Sequence, residues 1–153
     1  MSEELTRLTI AEMHGKLRRR EVSAVELLEA HEDRIDKVDG GVKAFLRRTS
    51  NLARKQAEEA DHRLVAGSGL HPLTGIPMAI KDVFCTEGVE TTAGSRILSG
   101  FISPYDATVI ARLRHEGVGC RLCPRRIYRG HDTATRQRLR QRLGGLQAPR
   151  PRL

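Results

Sequence analysis

Lys81 follows directly on a short apolar run, Met78-Ala79-Ile80, and stands immediately before Asp82. A lysine so placed is under two opposed pressures. Burial disfavours the ammonium form and lowers its pKa. A neutral lysine can then act as a general base, which an exposed one cannot at neutral pH. Pairing with Asp82 or with another acid at a strand end does the opposite and leaves a structural cation. The residues alone leave both readings open, with the structural one the commoner.

Other residue types with chemical reach carry less. Cys120-Arg121-Leu122-Cys123 has the C-x-x-C spacing of redox and zinc sites. A structural zinc takes four ligands, and only His131 stands close enough in sequence to suggest a third. The spacing therefore reads as coincidence. His31 falls on the apolar side of a helical pattern and reads as a packed, hydrogen-bonded structural histidine. The run from Arg136 to Leu143 alternates arginine with other residues. No aromatic side chain is interleaved to stack on bases.

The elements that must position Lys81 are legible by period. Thr9 with Glu12, and Ser23 with Glu26, have the spacing of capping boxes. They predict helices over 9–20 and 23–39. The first puts Ile10, Met13 and Leu17 on one face. The second puts Ala24, Leu28, His31, Ile35 and Val38 on one face and is expected to stop at Gly40-Gly41. A third amphipathic helix is predicted over 50–66, with Leu52, Ala60 and Leu64 inward. Short strands are predicted at 43–48 and 78–85, and a helix near 106–116 with Asp106 as N-cap and Val109, Ile110 and Leu113 inward. In an α/β unit a parallel strand ought to follow Val118, but Cys120-Arg121-Leu122-Cys123-Pro124 stands there instead, and the tail that it opens is expected to lack the pattern of a folded element.

The chain has 153 residues, 39% hydrophobic and 3% aromatic, with no Trp. That length suits one domain with one core, built here from Leu, Ile, Val and Ala. The composition fits helices and an α/β sheet better than a β-sandwich. No apolar run is long enough to span a bilayer, and Met1 to Thr6 are polar and acidic, without a signal-peptide pattern. The expectation is a cytoplasmic protein with no membrane contact. The formal charge of +8 invites a nucleic-acid reading. Its distribution argues against one for the body. Residues 1–120 hold 17 Lys+Arg and 18 Asp+Glu, whereas residues 121–153 hold 10 Arg, no Lys and one acid, Asp132.

Leu73-Thr74-Gly75-Ile76-Pro77-Met78-Ala79-Ile80-Lys81-Asp82 resembles the stretch that holds the catalytic lysine of the amidase-signature family. Leu8 to Glu12 and Ser23 to Leu27 resemble the opening helices of the A subunit of the glutamyl-tRNA amidotransferases within that family. Cys85-Thr86-Glu87-Gly88, Thr91-Thr92-Ala93-Gly94-Ser95 and Pro104-Tyr105-Asp106-Ala107-Thr108-Val109 continue it in order, so the resemblance covers roughly residues 5–118. It implies an α/β fold, a truncated amidase-signature fold in which N-terminal helices precede the first short strands of a mixed sheet. It implies a Ser–cis-Ser–Lys triad, in which a serine attacks the amide carbonyl and a second serine relays its proton to the neutral lysine. Lys81 maps to that lysine and is the one catalytic residue assigned. Both serine partners belong to a downstream Gly-Gly-Ser-Ser-Gly-Gly-type motif, and no serine follows Ser103. No cofactor or metal is implied for this chain, since ATP and Mg are used by the partner subunit. The implied partners are the B and C subunits and, through the complex, tRNA; binding by this chain alone is not implied. With most of the sheet missing, apolar surface meant to face it should be uncovered.

The resemblance stops near residue 118, which divides the chain into 1–118, the N-terminal part of an amidase domain, and 119–153, an Arg-rich tail. Ten arginines without a lysine is what CGN-rich codons give when a GC-rich gene is read out of frame. Arg125 to Gly130 can be encoded so that a one-base shift reads Asp-Glu-Phe-Thr-Val-Gly, similar to the family. Arg136 to Leu143 can be encoded so that it reads Gly-Ser-Ala-Tyr-Gly-Asn-Ala. The tail is therefore expected to be out of frame, with the missing Gly-Ser-rich segment in the next frame. Alternative readings are part of a general amidase, a small basic nucleic-acid-binding protein using the tail, or a helical interaction module made from residues 1–66.

Overall fold

The computed structural model describes residues 2–115 and 120–122. The elements are α1 (Ser2–Leu5), α2 (Ile10–Arg18), α3 (Ala24–Val42), α4 (Ser50–Ala66), β1 (Pro77–Ala79), α5 (Thr108–His115) and β2 (Cys120–Leu122), with one 3-10 turn at Arg96–Leu98.

Both capping boxes form. Thr9 Oγ1 accepts from Glu12 N at 3.3 Å while Thr9 N donates to the Glu12 carboxylate at 2.7 Å. Ser23 Oγ accepts from Glu26 N at 3.1 Å, and Ser23 N donates to Glu26 at 2.8 Å. These bonds favour ionised glutamates and hold the Glu12 and Glu26 carboxyls below their ordinary value of 4.5, with the backbone N–H of the N-cap the leading cause in each. Glu21 is pushed down to about 2, first by its hydrogen bond from Arg19 and then by Lys16. All three folded-state values are depressed, so the stability they contribute is present above pH 4.5 and is lost as pH falls toward 2. Thermal melts should therefore show the melting temperature falling over that window. Ser23→Ala should cost about 1 kcal/mol at neutral pH and move the Glu26 titration, followed by NMR, up toward 4.5. An unmoved Glu26 titration would contradict the assigned cause.

The core joins α2, α3, α4 and the segment before β1. Met13, Leu17, Ala24, Leu27, Leu28, Ile35 and Ile76 are buried together with Ala53, Ala57 and Ala60. Three alanines at helical spacing bring α4 close against α3. A contact across the helices fixes the start of α3: Asp61 on α4 accepts from Ala24 N at 2.7 Å and Val25 N at 3.2 Å. Donors that α3 cannot satisfy within itself are thus met by a neighbouring helix. His31 is half-buried and its Nδ1 donates to Leu27 O at 2.7 Å, a structural histidine. Ile10, expected inward, is exposed; it is the first residue of α2, one turn outside the buried pair Met13 and Leu17. Leu52 and Leu64 only flank the alanine stripe.

Four element boundaries differ from the sequence reading. Helix α2 stops at Arg18, two residues short of the predicted end, because Arg20 turns to a left-handed φ of 58°. Helix α3 runs through Gly40-Gly41 to Val42 and ends with Lys43 left-handed at φ 52°. Asp39 sets that end: its carbonyl accepts from Lys43 N at 2.7 Å and its carboxylate from Ala44 N and Phe45 N. Residues 43–48 are not a strand, since no neighbouring strand meets them among the described residues. Side chains tether them instead: Arg47 donates to Glu90 O at 2.5 Å and pairs with the Glu90 carboxylate, and Arg48 pairs with Asp36. The strand predicted at 78–85 is only Pro77–Ala79, and the chain turns after Lys81, with Phe84 N donating to Lys81 O at 3.0 Å.

Where the sequence reading places the start of a tail without folded pattern, Cys120–Leu122 form β2 after all. β2 runs parallel to β1 in the register Pro77↔Cys120, Met78↔Arg121, Ala79↔Leu122. A parallel pair needs a long crossover, and residues 80–119 supply it. On α5, Ile110 is buried, while Val109, expected inward, is exposed. The helix is only eight residues long and buries one narrow stripe. Cys123, His131 and the Arg136 to Leu143 run lie outside the described residues.

Candidate active site around Lys81

Past the end of β1 burial alternates residue by residue over 79–82, as it does along an extended segment. Ile80 and Asp82 point inward, each 6% exposed, while Ala79 and Lys81 lie on the outer side and are exposed. Lys81 thus stands two residues beyond the end of β1, but it is not partly buried as a base would need to be. Alternation is the reason: the residues on either side of it take the inward positions. The structural reading of Lys81 as the partner of Asp82 fails on the same geometry, because the two side chains leave opposite faces. Among the described residues Lys81 makes no ion pair.

Asp82 has a different task, which the motif alone does not reveal. Its carboxylate accepts from Thr92 N at 3.0 Å, from Thr92 Oγ1 at 2.5 Å and from Gly94 N at 3.1 Å. Its carbonyl accepts from Ala93 N at 3.0 Å. One buried side chain therefore folds the Thr91 to Ser95 loop, including Ala93 in a left-handed conformation at φ 47°, which costs an L-residue about 1–2 kcal/mol. The pairing of Lys81 with Asp82 in sequence places an outward cation directly over an inward loop anchor.

Beyond the loop, the chain doubles back. Gly88 N donates to Ser103 O at 2.9 Å, Thr91 N to Phe101 O at 2.9 Å and Ser103 N to Val89 O at 3.2 Å, around an antiparallel bridge of Glu90 with Ile102. Ser103 is buried and its Oγ donates to Tyr105 O at 2.6 Å. Ser95 Oγ accepts from Ile97 N at 3.2 Å. Both hydroxyls serve the backbone. Asp106 accepts from Glu87 N at 2.8 Å and pairs with Arg114 at 2.9 Å, while Ala107 N donates to Cys85 O at 2.8 Å. The segment from Lys81 to His115 is thus one hydrogen-bonded unit with the exposed lysine at its entrance. No group of three metal-ligating side chains occurs among the described residues, and no helix there is long and apolar enough to cross a membrane.

Residues 26–120 match the family described as Amidase. The chain belongs to the amidase family. The matched span contains Lys81, Asp82 and the whole loop they organise, and it closes two residues beyond the boundary expected at 118. Among curated amidase-family relatives, the chain is 52% identical over 114 residues to the A subunit of the glutamyl-tRNA(Gln) amidotransferase of Geobacter sulfurreducens, covering 74% of this chain and 23% of that protein. It is 50% identical over 111 residues to the protein of the same name from Methylococcus capsulatus, covering 72% and 23%. The native peptide amidase of Stenotrophomonas maltophilia superposes with a TM-score of 0.69 at 30% identity, covering 76% of this chain and 24% of that one. Fatty acid amide hydrolase shares the fold alone, with a TM-score of 0.71 at 22% identity. The chain therefore spans about a quarter of the length of the relatives it matches.

Proposed function

We propose that this chain is the lysine-bearing part of the A subunit of a glutamyl-tRNA amidotransferase. As a whole protein, that subunit would hydrolyse glutamine and supply ammonia for converting Glu-tRNA(Gln) to Gln-tRNA(Gln). The observation that carries the reading is the order of features around β1: a short, half-buried apolar strand, Lys81 outward two residues beyond its end, and Asp82 inward as anchor of the next loop. It lies within a match about 50% identical to relatives of that name. The 30% identity to a peptide amidase makes the general-amidase reading the weaker one.

In this proposal Lys81 is the general base. It accepts, through one serine hydroxyl, the proton of a second serine that attacks the amide carbonyl. General-base work by a lysine needs burial, so the rest of the domain has a second task besides supplying the serines: it must cover Lys81. The B and C subunits would receive the ammonia in the cytoplasm, with ATP and Mg used by a partner subunit. Residues 119–153 are read as an out-of-frame tail without a part in this chemistry, although its first residues, Cys120–Leu122, pair with β1.

The chain alone is then expected to be inactive, because a lysine with no serine to deprotonate has no acyl acceptor and the covalent step cannot begin. Purified chain incubated with glutamine should release ammonia no faster than a buffer blank. Release above the blank that Lys81→Ala abolishes would sink this account of the site.

A further inference from the structure

A cavity of about 350 Å³ lies where α1, α3 and β1 meet, at the lower end of the range of about 300–1,000 Å³ that small-molecule sites occupy. Local geometry explains its lining. His31, Arg34 and Ile35 stand at i, i+3 and i+4 on α3 and so share one face. Pro77 and Ala79 are alternate residues of β1 and share one side. Phe45 enters from the turn after α3, where the Asp39 carboxylate accepts from its backbone N–H at 3.3 Å. Glu3 and Arg7, one helical turn apart, close the remaining side. The charge is unbalanced. Arg7 donates to Glu3 at 2.9 Å, which occupies the one acid of the cavity. That hydrogen bond, and then the charges of Arg7, Arg34 and Lys37, hold the Glu3 carboxyl below its ordinary value of 4.5. Arg34 is left over: among the described residues it makes no hydrogen bond or ion pair. His31 gives its Nδ1 proton to Leu27 O at 2.7 Å, so Nε2 is the ring nitrogen open to a ligand.

These groups suit an oxyanion, which a guanidinium holds by paired N–H bonds. The imidazole narrows the class. A phosphate monoester exchanges its second proton near pH 6, so at neutral pH one of its oxygens can either accept from Nε2 or donate to it. A carboxylate or a sulfate ester is by then fully ionised and only accepts. The walls made by Ile35, Phe45 and Pro77 are apolar and suit a flat group beside the phosphate. We propose that this cavity binds a small phosphate monoester, its phosphate between Arg7, Arg34 and His31 Nε2 and its flat apolar group against Phe45 and Pro77. Glu3, Thr6 and Arg7 precede the span 26–120 that matches the family, and Lys81 does not line the cavity. The site therefore stands apart from the amide chemistry and from the reading given under the proposed function.

The test titrates phenyl phosphate into the 153-residue chain at neutral pH and low salt, following the His31 ring signals by NMR. They should shift saturably, with a dissociation constant of about 1 mM or tighter. Inorganic phosphate lacks the flat group and should bind at least about fivefold more weakly. Phenyl sulfate has no proton to give Nε2 and should also bind at least about fivefold more weakly. Arg34→Ala should weaken phenyl phosphate binding at least about tenfold and leave the melting temperature unchanged, because the side chain is exposed and unpartnered among the described residues. Should the alanine variant unfold, Arg34→Lys takes its place; it keeps the charge, loses the paired N–H bonds and should weaken binding in the same direction. His31 signals that do not move overturn the proposal. So does a binding curve indifferent to the Arg34 substitutions, which is what the arginines of residues 121–153 would give on their own. Phenyl sulfate or inorganic phosphate binding as tightly as phenyl phosphate overturns the ligand class.

Discussion

Asp82→Ala is expected to destabilise the chain by about 3–5 kcal/mol, one of the largest effects open to a single substitution here. The carboxylate is 6% exposed and accepts from two backbone N–H groups and one hydroxyl of the Thr92 to Gly94 loop. Hydrogen bonds to a charged group are worth about 1.5–3 kcal/mol each, and their loss leaves donors unpaired. The effects overlap, so the sum is discounted. Asp82→Asn keeps one acceptor oxygen and should fall between wild type and alanine. Urea unfolding followed by circular dichroism gives the energies, and amide exchange at Thr92 and Gly94 locates them. A midpoint shifted by less than about 0.5 kcal/mol, the size of an ordinary surface change, would show that the loop holds without its anchor. Lys81 provides the contrast. Being exposed and outside every ion pair among the described residues, its replacement by alanine should be nearly neutral for stability. Two adjacent residues of one motif thus differ: Asp82 anchors the fold, and Lys81, the proposed base, is not needed for it.

Gly75→Ala should cost about 2–4 kcal/mol through two separate causes. Its φ is +78°, a left-handed conformation that an L-residue adopts only with strain. A Cβ there would also stand 3.0 Å from Ala24 Cβ, 3.4 Å from Leu17 Cδ1 and 3.6 Å from Ala60 Cβ. Those are atoms of α3, α2 and α4, so the glycine sits where three helices meet the segment leading into β1. Ala24 and Ala60 cannot rotate out of the way, which leaves only backbone movement as relief. Gly67→Ala separates the causes: φ is +66°, with open space where the Cβ would be. It should show the backbone strain alone, about 1 kcal/mol. Equal losses at the two glycines would mean that the triple contact contributes nothing. A larger loss at Gly75 would tie the position of β1, and hence of Lys81, to the packing of the helices beneath it.

Much of the helical part of this protein is legible in its sequence because the deciding interactions are short. Thr9 reaches Glu12 and Ser23 reaches Glu26 across three residues, so both helix starts are written in adjacent letters and appear where the spacing puts them. The order of apolar strand, lysine and acid is likewise local. So is the lack of any serine after Ser103, which a search of the chain settles without coordinates. What tertiary structure decided are the matters that need a distant partner. A strand exists only if another backbone lies beside it, so 43–48 reads as a strand and is instead held by Arg47 on Glu90, 43 residues away. The pairing of β1 with β2 depends on a crossover bringing Cys120 beside Pro77. Asp61 caps a helix 37 residues earlier in the chain, which no local spacing announces. The burial of Asp82 and the exposure of Lys81 follow from which face of the extended segment meets the core. Sequence names the two residues side by side, and only packing decides which of them turns inward.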